Sequence, residues 1–463
     1  MRVLLAIALI ALAGCTVGPN YKRPAIATPA QFRGADPQPS PESLADTKWF
    51  DLFQDDVLKQ LIDTAIAQNH DLKIAADRVI EARAQAGLQK SLQFPTVGAT
   101  ASFNANKVAT IGANRLPPGF NLDASYTQTG FNINWDMDLF GRLRRLTEAA
   151  RAQYLATEEA RRGVITALIA DVTTTYFEIR ELDLELEISK KTLGIAQNGL
   201  RLTTVRHDRG AATGLDVHQA EQFLYTATAQ IAAVERGIAQ DENALNVLLG
   251  NNPGDVARGK TLEQFKTPPQ VPAGLPSALI DRRPDIRQAE QGLVAANANI
   301  GAAKALLFPD ISLTTFLGWQ SRALSELFTA PARSWAFVPA SATQPIFNAG
   351  AIRNGIRLTQ AQKDEALENY RKAIQEAFRE VSDALVAYRK NAEQRQQEDL
   401  LVKALQESER LSTLRYQGGL DSYLQVLDSE RNLFTGQLTL AQLDREELLS
   451  VVQLYRALGG GWQ

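Results

Sequence analysis

Scarcity says much about this chain before any motif does. Its 463 residues hold one cysteine, Cys15, and three histidines, His70, His207 and His218. A lone thiol excludes an internal disulfide and any thiolate metal cluster. His207 and His218 lack a third ligand, so a solvated surface role is the better reading of both, and no metal site is expected. No glycine-rich nucleotide loop follows a strand-like run, and no zinc-type His/Glu spacing occurs. Past the N-terminus, no segment is apolar for the ~20 residues that a membrane helix needs. The formal charge is −3, from 49 Lys+Arg against 52 Asp+Glu, and leaves no basic face for nucleic acid. No catalytic residue and no cofactor are expected, and the chain does not read as an enzyme.

What is present begins at the N-terminus. Met1-Arg2, an apolar run from Val3 to Leu12 and the small residues Ala13-Gly14 make a secretory signal, too short to span a bilayer. Leu12-Ala13-Gly14-Cys15 resembles the bacterial lipobox. It makes Cys15 the expected lipidation site and new N-terminus after residues 1–14 are removed. The tail from Thr16 to Ala45 is rich in Pro, Ala and Gln and reads as extended chain. Composition leaves open whether it is a disordered spacer or a strap wrapped along a partner surface.

Prolines then vanish from Gly119 to Asn252 and again from Ile346 onward, which reads as long helix. In the first stretch Val164, Leu168, Val172, Tyr176, Ile179, Leu182 and Leu186 recur at helical spacing. The charged positions between them suit a partly solvated coiled coil. The two stretches are copies. Arg206, Gly210, Leu215 and Glu221 match Arg415, Gly419, Leu424 and Glu430 at an offset of 209 (206 to 415). Upstream, Asp71 and Phe94-Pro95 match Asp285 and Phe308-Pro309 at an offset of 214 (71 to 285). Each half therefore carries a short helix, two strand-like runs, a long helix, a glycine turn and a medium helix. At 1.5 Å per residue these helices are ~35, ~100 and ~54 Å long, so the two lesser ones, stacked end to end, can accompany the long one. The expected segments are 15–68 as lipidated tail and equatorial segment, 69–250 as first repeat, 251–280 as linker, and 281–463 as second repeat with the C-terminal segment.

The strand-like runs alternate. Val97, Ala99, Ala101, Phe103 and Ala105 are apolar against Thr96, Thr100, Ser102, Asn104 and Asn106. Phe131, Ile133, Trp135 and Met137 repeat the pattern against Asn132, Asn134 and Asp136. In the second half Phe316 breaks it, and the run near Trp335 and Phe337 is mixed. Alternation alone fits a soluble hairpin as well as a strand between lipid and a watery lumen. Four strands cannot close a barrel, and open edges are not tolerated in lipid. Two chains would give eight strands with a filled interior, and three would give twelve with room for a channel. The expected class is mainly α with a membrane β-barrel part: a homotrimeric pore of twelve strands, four per chain, with long coiled-coil helices.

The chain also resembles the TolC-like outer-membrane efflux proteins, in their lipoprotein branch (OprM/NodT type). The likeness is carried by Cys15-Thr16-Val17-Gly18-Pro19 with Tyr21 and Pro24, Trp49-Phe50, and Asn69 to Leu72. It continues in Arg283-Pro284-Asp285-Ile286, Ala295-Ala296-Asn297-Ala298, Phe308 to Leu313, Pro345-Ile346-Phe347, and Tyr455 to Trp462. It implies a passive exit duct in the outer membrane of a Gram-negative bacterium, a trimeric twelve-stranded barrel continued by an α-helical coiled-coil tunnel that crosses the periplasm. A periplasmic adaptor protein would dock at its tip and link it to an inner-membrane pump of RND type. Thr16 after the lipidated cysteine fits outer-membrane sorting.

Within that resemblance the helix-to-helix turns carry the function. Arg206, Gly210, Leu215, Arg415 and Gly419 fall where the adaptor docks, although both arginines also suit a helix C-terminus and Gly210 and Gly418-Gly419 suit a reversal of direction. Leu424 and Asp428 match the closing ring, and Tyr416 matches a tyrosine that holds the helices inward. Against the gate reading, Asp428 could be an ordinary first-turn carboxylate. The first half carries His207, His218 and Gln219 where the second has Tyr416, Leu427 and Asp428, so only one hairpin can supply an acidic ring. The rival reading is a lipid-anchored periplasmic coiled-coil structural or adaptor protein.

Overall fold

The computed structural model describes residues 16–34, 43–47, 52–107, 123–265, 272–274 and 276–461. The signal segment, Cys15, Trp49-Phe50 and Trp462 lie outside them. The described helices are α1 (Asp56–Gln68), α2 (His70–Ser91), α3 (Arg142–Asp208), α4 (Gly214–Leu248), α5 (Pro276–Arg282), α6 (Pro284–Ala305), α7 (Ala351–Gln417) and α8 (Tyr423–Ala457). The strands are β1 (Thr96–Lys107), β2 (Asp123–Asp136), β3 (Asp310–Ser321) and β4 (Arg333–Thr343). The long helices α3 and α7 have 67 residues each and the medium helices α4 and α8 have 35 each, so the duplication holds in length as well as in order. Two compact units cut across both repeats. One is Met1–Ala25, Val79–Thr157 and Ala289–Tyr370; the other is Ile26–Arg78, Glu158–Gln288 and Arg371–Gln463.

The first unit holds the sheet, antiparallel throughout and ordered β1-β2-β3-β4. Its register gathers side chains into rows. Ala99, Phe131, Leu317 and Trp335 stand abreast, as do Val97, Ile133, Thr315 and Phe337. Successive side chains point to opposite faces. One face is therefore apolar, and Trp335 on it is 75% exposed. The opposite rows run Thr100, Gly130, Gly318, Ser334 and Gly98, Asn132, Phe316, Ala336.

Phe316 thus stands on the polar face, where the sequence pattern failed. The paired glycines explain how it fits: its ring lies 2.9 Å from where a Cβ on Gly130 would be, and 2.7 Å from one on Gly318. Trp335 and Phe337 fall on the apolar face despite the mixed look of their run. A shift of register between Ser312 and Thr314 reconciles β4 with β3.

In the same unit residues 17–23 form a strap, laid on their own chain and not on the partner surface that composition left open. Val17 N–H donates to the Phe140 carbonyl at 3.1 Å. Buried Arg145 donates to the Val17 carbonyl at 3.2 Å and to Asn20 Oδ1 at 2.8 Å, and Asn297 donates to the Pro19 carbonyl at 2.9 Å. Tyr21 and Arg23 both donate to Glu290, at 3.0 and 2.8 Å. Gly18, at φ 98°, lies so close on Gly301 that a side chain would strike backbone. Ala149 and Ala152 of α3 meet Ala295 and Ala298 of α6, small residues that let two helices approach closely.

The second unit has its main core where α1, the start of α2, the middle of α3 and the ends of α4 and α8 meet. Leu168, Val172, Tyr176 and Ile179 are buried there with Leu58, Ile62, Leu72, Leu245, Leu448 and Val452. Each medium helix ends against the start of a short one. Asn69 caps α2 through the Leu72 N–H and donates to the Leu248 carbonyl at 2.9 Å. Arg283, its counterpart at offset 214 (69 to 283), donates to the Ala457 carbonyl at 2.9 Å and pairs with Asp285 and Glu380. The end-to-end stacking expected from helix lengths is made by these two side chains.

Not every charged position of α3 is solvated. Glu181 and Glu185 are 3% and 4% exposed, under α8. Arg445 donates to Glu181 at 3.1 Å and Gln442 to Glu185 at 3.1 Å. Burial, then the hydrogen bond and charge of Glu185, push the Glu181 carboxyl up to about 8. The folded chain therefore holds a proton that the unfolded chain releases near its ordinary value. This contribution to stability is fully present below the unfolded pKa and fades as pH rises through about 8. Glu181→Gln keeps the hydrogen bonds without the charge. Its thermal midpoint should match the parent at pH 5 and exceed it by several degrees at pH 9; equal midpoints at both would contradict the shared-proton arrangement.

Candidate functional site at the helix turns

The two helix-to-helix turns lie in the second unit and use one mechanism. The first closes with Gly210 N–H to the His207 carbonyl and Ala211 N–H to the Arg206 carbonyl, both 2.8 Å. The second closes with Gly419 N–H to the Tyr416 carbonyl at 3.0 Å and Leu420 N–H to the Arg415 carbonyl at 2.9 Å. This paired bonding needs one residue in the left-handed region. Gly210 and Gly419 supply it at φ 72° and 71°. Gly418 does not share that role: its N–H simply bonds the Leu414 carbonyl at 3.0 Å, and only one glycine per turn carries the reversal.

The following helices start differently. Thr213 caps α4 in a reciprocal box with Asp216, the Asp216 N–H bonding Thr213 Oγ1 at 3.3 Å and the Thr213 N–H bonding Asp216 Oδ2 at 2.8 Å. Ser422 stands at the equivalent position before α8, with Gln425 in place of Asp216, and makes no side-chain cap bond. An ion pair between Arg415 and Asp421 steadies that turn instead, with a second contact at 3.2 Å. The Arg415 hydrogen bond holds the Asp421 carboxyl below its usual range.

Four of the residues singled out by sequence come together or share a face. The Arg206 guanidinium lies 4.5 Å above the centre of the Tyr416 ring, a cation–π contact that ties the end of α3 to the end of α7. Tyr416 is buried and tilted against Tyr423, ring centres 5.5 Å apart, in a core with Phe223, Val426, Leu427 and Phe434. Leu424 and Asp428 lie one helical turn apart on α8, and both are exposed. Asn432 donates to Asp428 at 3.2 Å. Asp428 is not a first-turn carboxylate, since α8 begins at Tyr423 and carries no acid in its first turn.

Leu215, in the first turn of α4, is 65% exposed. Arg415 and Arg206 are separately engaged, the first by Asp421 and the second by Tyr416, so a shared role at a helix end does not describe both. Sequence reasoning passed over Tyr423 and Glu430. Burial first, then Glu430, push the Tyr423 phenol up to about 12, and burial with nearby Glu409 pushes Glu430 up to about 7. Glu430 had a signal, as half of the repeat match with Glu221, but nothing in the sequence placed it against Glu409.

Among the described residues no three His, Cys, Asp or Glu side chains converge to hold a metal ion. No helix of the described chain is long and apolar enough to cross a membrane. The model of the outer membrane efflux protein family matches residues 61–251 and 275–460. The chain belongs to the outer membrane efflux protein family. It is 41% identical to the solvent efflux pump outer membrane protein SrpC of Pseudomonas putida over 98% of this chain and 97% of that one. It is 36% identical to the cation efflux system protein CusC of Escherichia coli, over 98% and 97%. Among solved structures it resembles the MtrE outer membrane channel of Neisseria gonorrhoeae, with TM-score 0.87 and 31% identity over 97% of this chain and 99% of that one. The long helices and the four-stranded sheet of this outer membrane efflux protein are those of TolC-like channels, and its helix turns are the ends of the paired long and medium helices of that fold.

Proposed function

We propose that three copies of the chain form the passive exit duct of a tripartite efflux system in a Gram-negative outer membrane. The observation that carries this reading is the sheet. It has an exposed apolar face, a polar face, and two outer strands, β1 and β4, each paired on one side only among the described residues. Three such sheets joined edge to edge make a barrel of twelve strands with room for a channel. A lipid-anchored coiled-coil adaptor would explain the helices but not this sheet.

In this reading the covalent lipid on Cys15 anchors the chain, and the strap from Val17 to Arg23 ties that anchor to the strand-bearing unit. The turns at Arg206, Gly210, Leu215, Arg415 and Gly419 meet a periplasmic adaptor, which brings an RND-type inner-membrane pump. Tyr416, Leu424 and Asp428 form the gate. The duct performs no chemistry and needs no cofactor. Relatives named for solvents, toluene, antibiotics and cations suit a conduit that passes whatever its pump delivers.

Membrane fractionation with gels run before and after boiling tests the assembly. The protein is expected with the outer membrane, migrating unboiled as a large species that heating converts to single chains. A soluble single chain obtained without detergent would contradict it. Radiolabelled palmitate should enter the parent protein but not Cys15→Ala.

A further inference from the structure

At one end of the sheet, β1 begins, β2 ends, β3 begins and β4 ends, as the register requires. In the middle of the sheet the two joints at this end, after β2 and before β3, close on each other. Met137 N–H donates to the Ile311 carbonyl at 2.7 Å, and the Phe140 and Phe308 rings stack with centres 4.7 Å apart. At the two outer edges the duplicated counterparts leave their apolar side chains exposed among the described residues. Phe94 corresponds to Phe308 at offset 214 (94 to 308), and it is 58% exposed beside Leu92 at 51%. Ile346 and Phe347 correspond to Met137 and Asp138 at offset 209 (137 to 346), and they are 99% and 88% exposed.

We infer that Ile346 and Phe347 of one copy seat on Leu92 and Phe94 of the next copy, repeating between chains the aromatic closure that Phe140 and Phe308 make within one. The inference rests on the proposed ring of copies. In such a ring β4 of one chain runs antiparallel beside β1 of its neighbour, which brings these joints to the same end of the barrel. The within-chain pair supplies the template. Ala349 stands where Phe140 would be repeated, so the outer edge lacks that ring and offers Phe347 two residues earlier. An adjacent apolar pair as exposed as Ile346 and Phe347 marks a contact surface. Each copy presents the doublet on one edge and its acceptor on the other, the arrangement of a head-to-tail contact that closes on itself.

Paired cysteines test the contact in the full chain within outer membranes. Phe94→Cys with Phe347→Cys, treated with a short bis-maleimide, should yield covalent two- and three-chain bands on boiled gels. Each single variant should yield none. Leu92→Cys with Ile346→Cys repeats the test with both rings in place. If unboiled gels show intact oligomers and neither pair cross-links, the contact is wrong although the ring of copies stands. If the unmodified protein itself runs as single chains before boiling, both ideas fail together.

Discussion

Exchanging Leu424 for alanine and Asp428 for serine in the same chain is expected to raise single-channel conductance in planar bilayers several-fold. Both side chains leave the same face of α8 one turn apart, and both are exposed in the single chain. Around a threefold axis, three leucines make a dry constriction and three carboxylates a ring that attracts cations and repels anions. The Asn432 amide holds each Asp428 carboxylate from its own helix, so the charge is positioned without help from a helix N-terminus. The double variant should also lose cation preference, because the ring charge goes with Asp428. Conductance and selectivity both unchanged from the parent would show that the constriction lies elsewhere.

Replacing Asp55 with alanine is expected to cost roughly 3 kcal/mol of stability, from a lost helix cap and buried donors left unpaired. The carboxylate is 7% exposed and serves three segments at once. One oxygen accepts from the Val57 and Leu58 N–H groups at 2.8 and 3.2 Å and caps α1. The other accepts from the Tyr176 hydroxyl at 3.0 Å and the Lys260 N–H at 3.0 Å, joining the middle of α3 to the segment after α4. Alanine leaves the phenol and the amide of Lys260 without that acceptor. Asparagine keeps one carbonyl oxygen for the cap and should fall between the two. Denaturant melts of the detergent-solubilised protein would measure the order, and a variant as stable as the parent would contradict the hub assigned to Asp55.

The long helices were legible because proline is missing from two stretches and because the halves copy each other. Repeated Arg, Gly, Leu and Glu located both turns, and the structure gives the two glycines the same bonding and nearly the same φ. Alternation located β1 and β2 well. It failed at Phe316, since a period-two pattern says nothing of the glycine pair beside which that ring sits.

Contacts between segments far apart in sequence were beyond reach for a different reason. Charge on a helix reads as solvent-facing unless the opposing helix is known, so buried Glu181 and Glu185 were invisible until α8 covered them. Arg206 looked like a C-terminal cation, and only the fold brings it over Tyr416. The strap was undecidable from composition because extended chain looks alike whether free or bound. Its hydrogen bonds to Arg145, Asn297 and Glu290 settle residues 17–23. The divergence of the two tips was legible. His207 replaces the ring that Arg206 meets across the turns, and Gln219 replaces the exposed acid.

The central claim is a duct made of three copies, and counting chains tests it most directly. Native mass spectrometry of the protein released from outer membranes in mild detergent should show three lipid-bearing chains in one particle. A single chain as the largest species, under conditions that keep the sheet folded, would contradict the account.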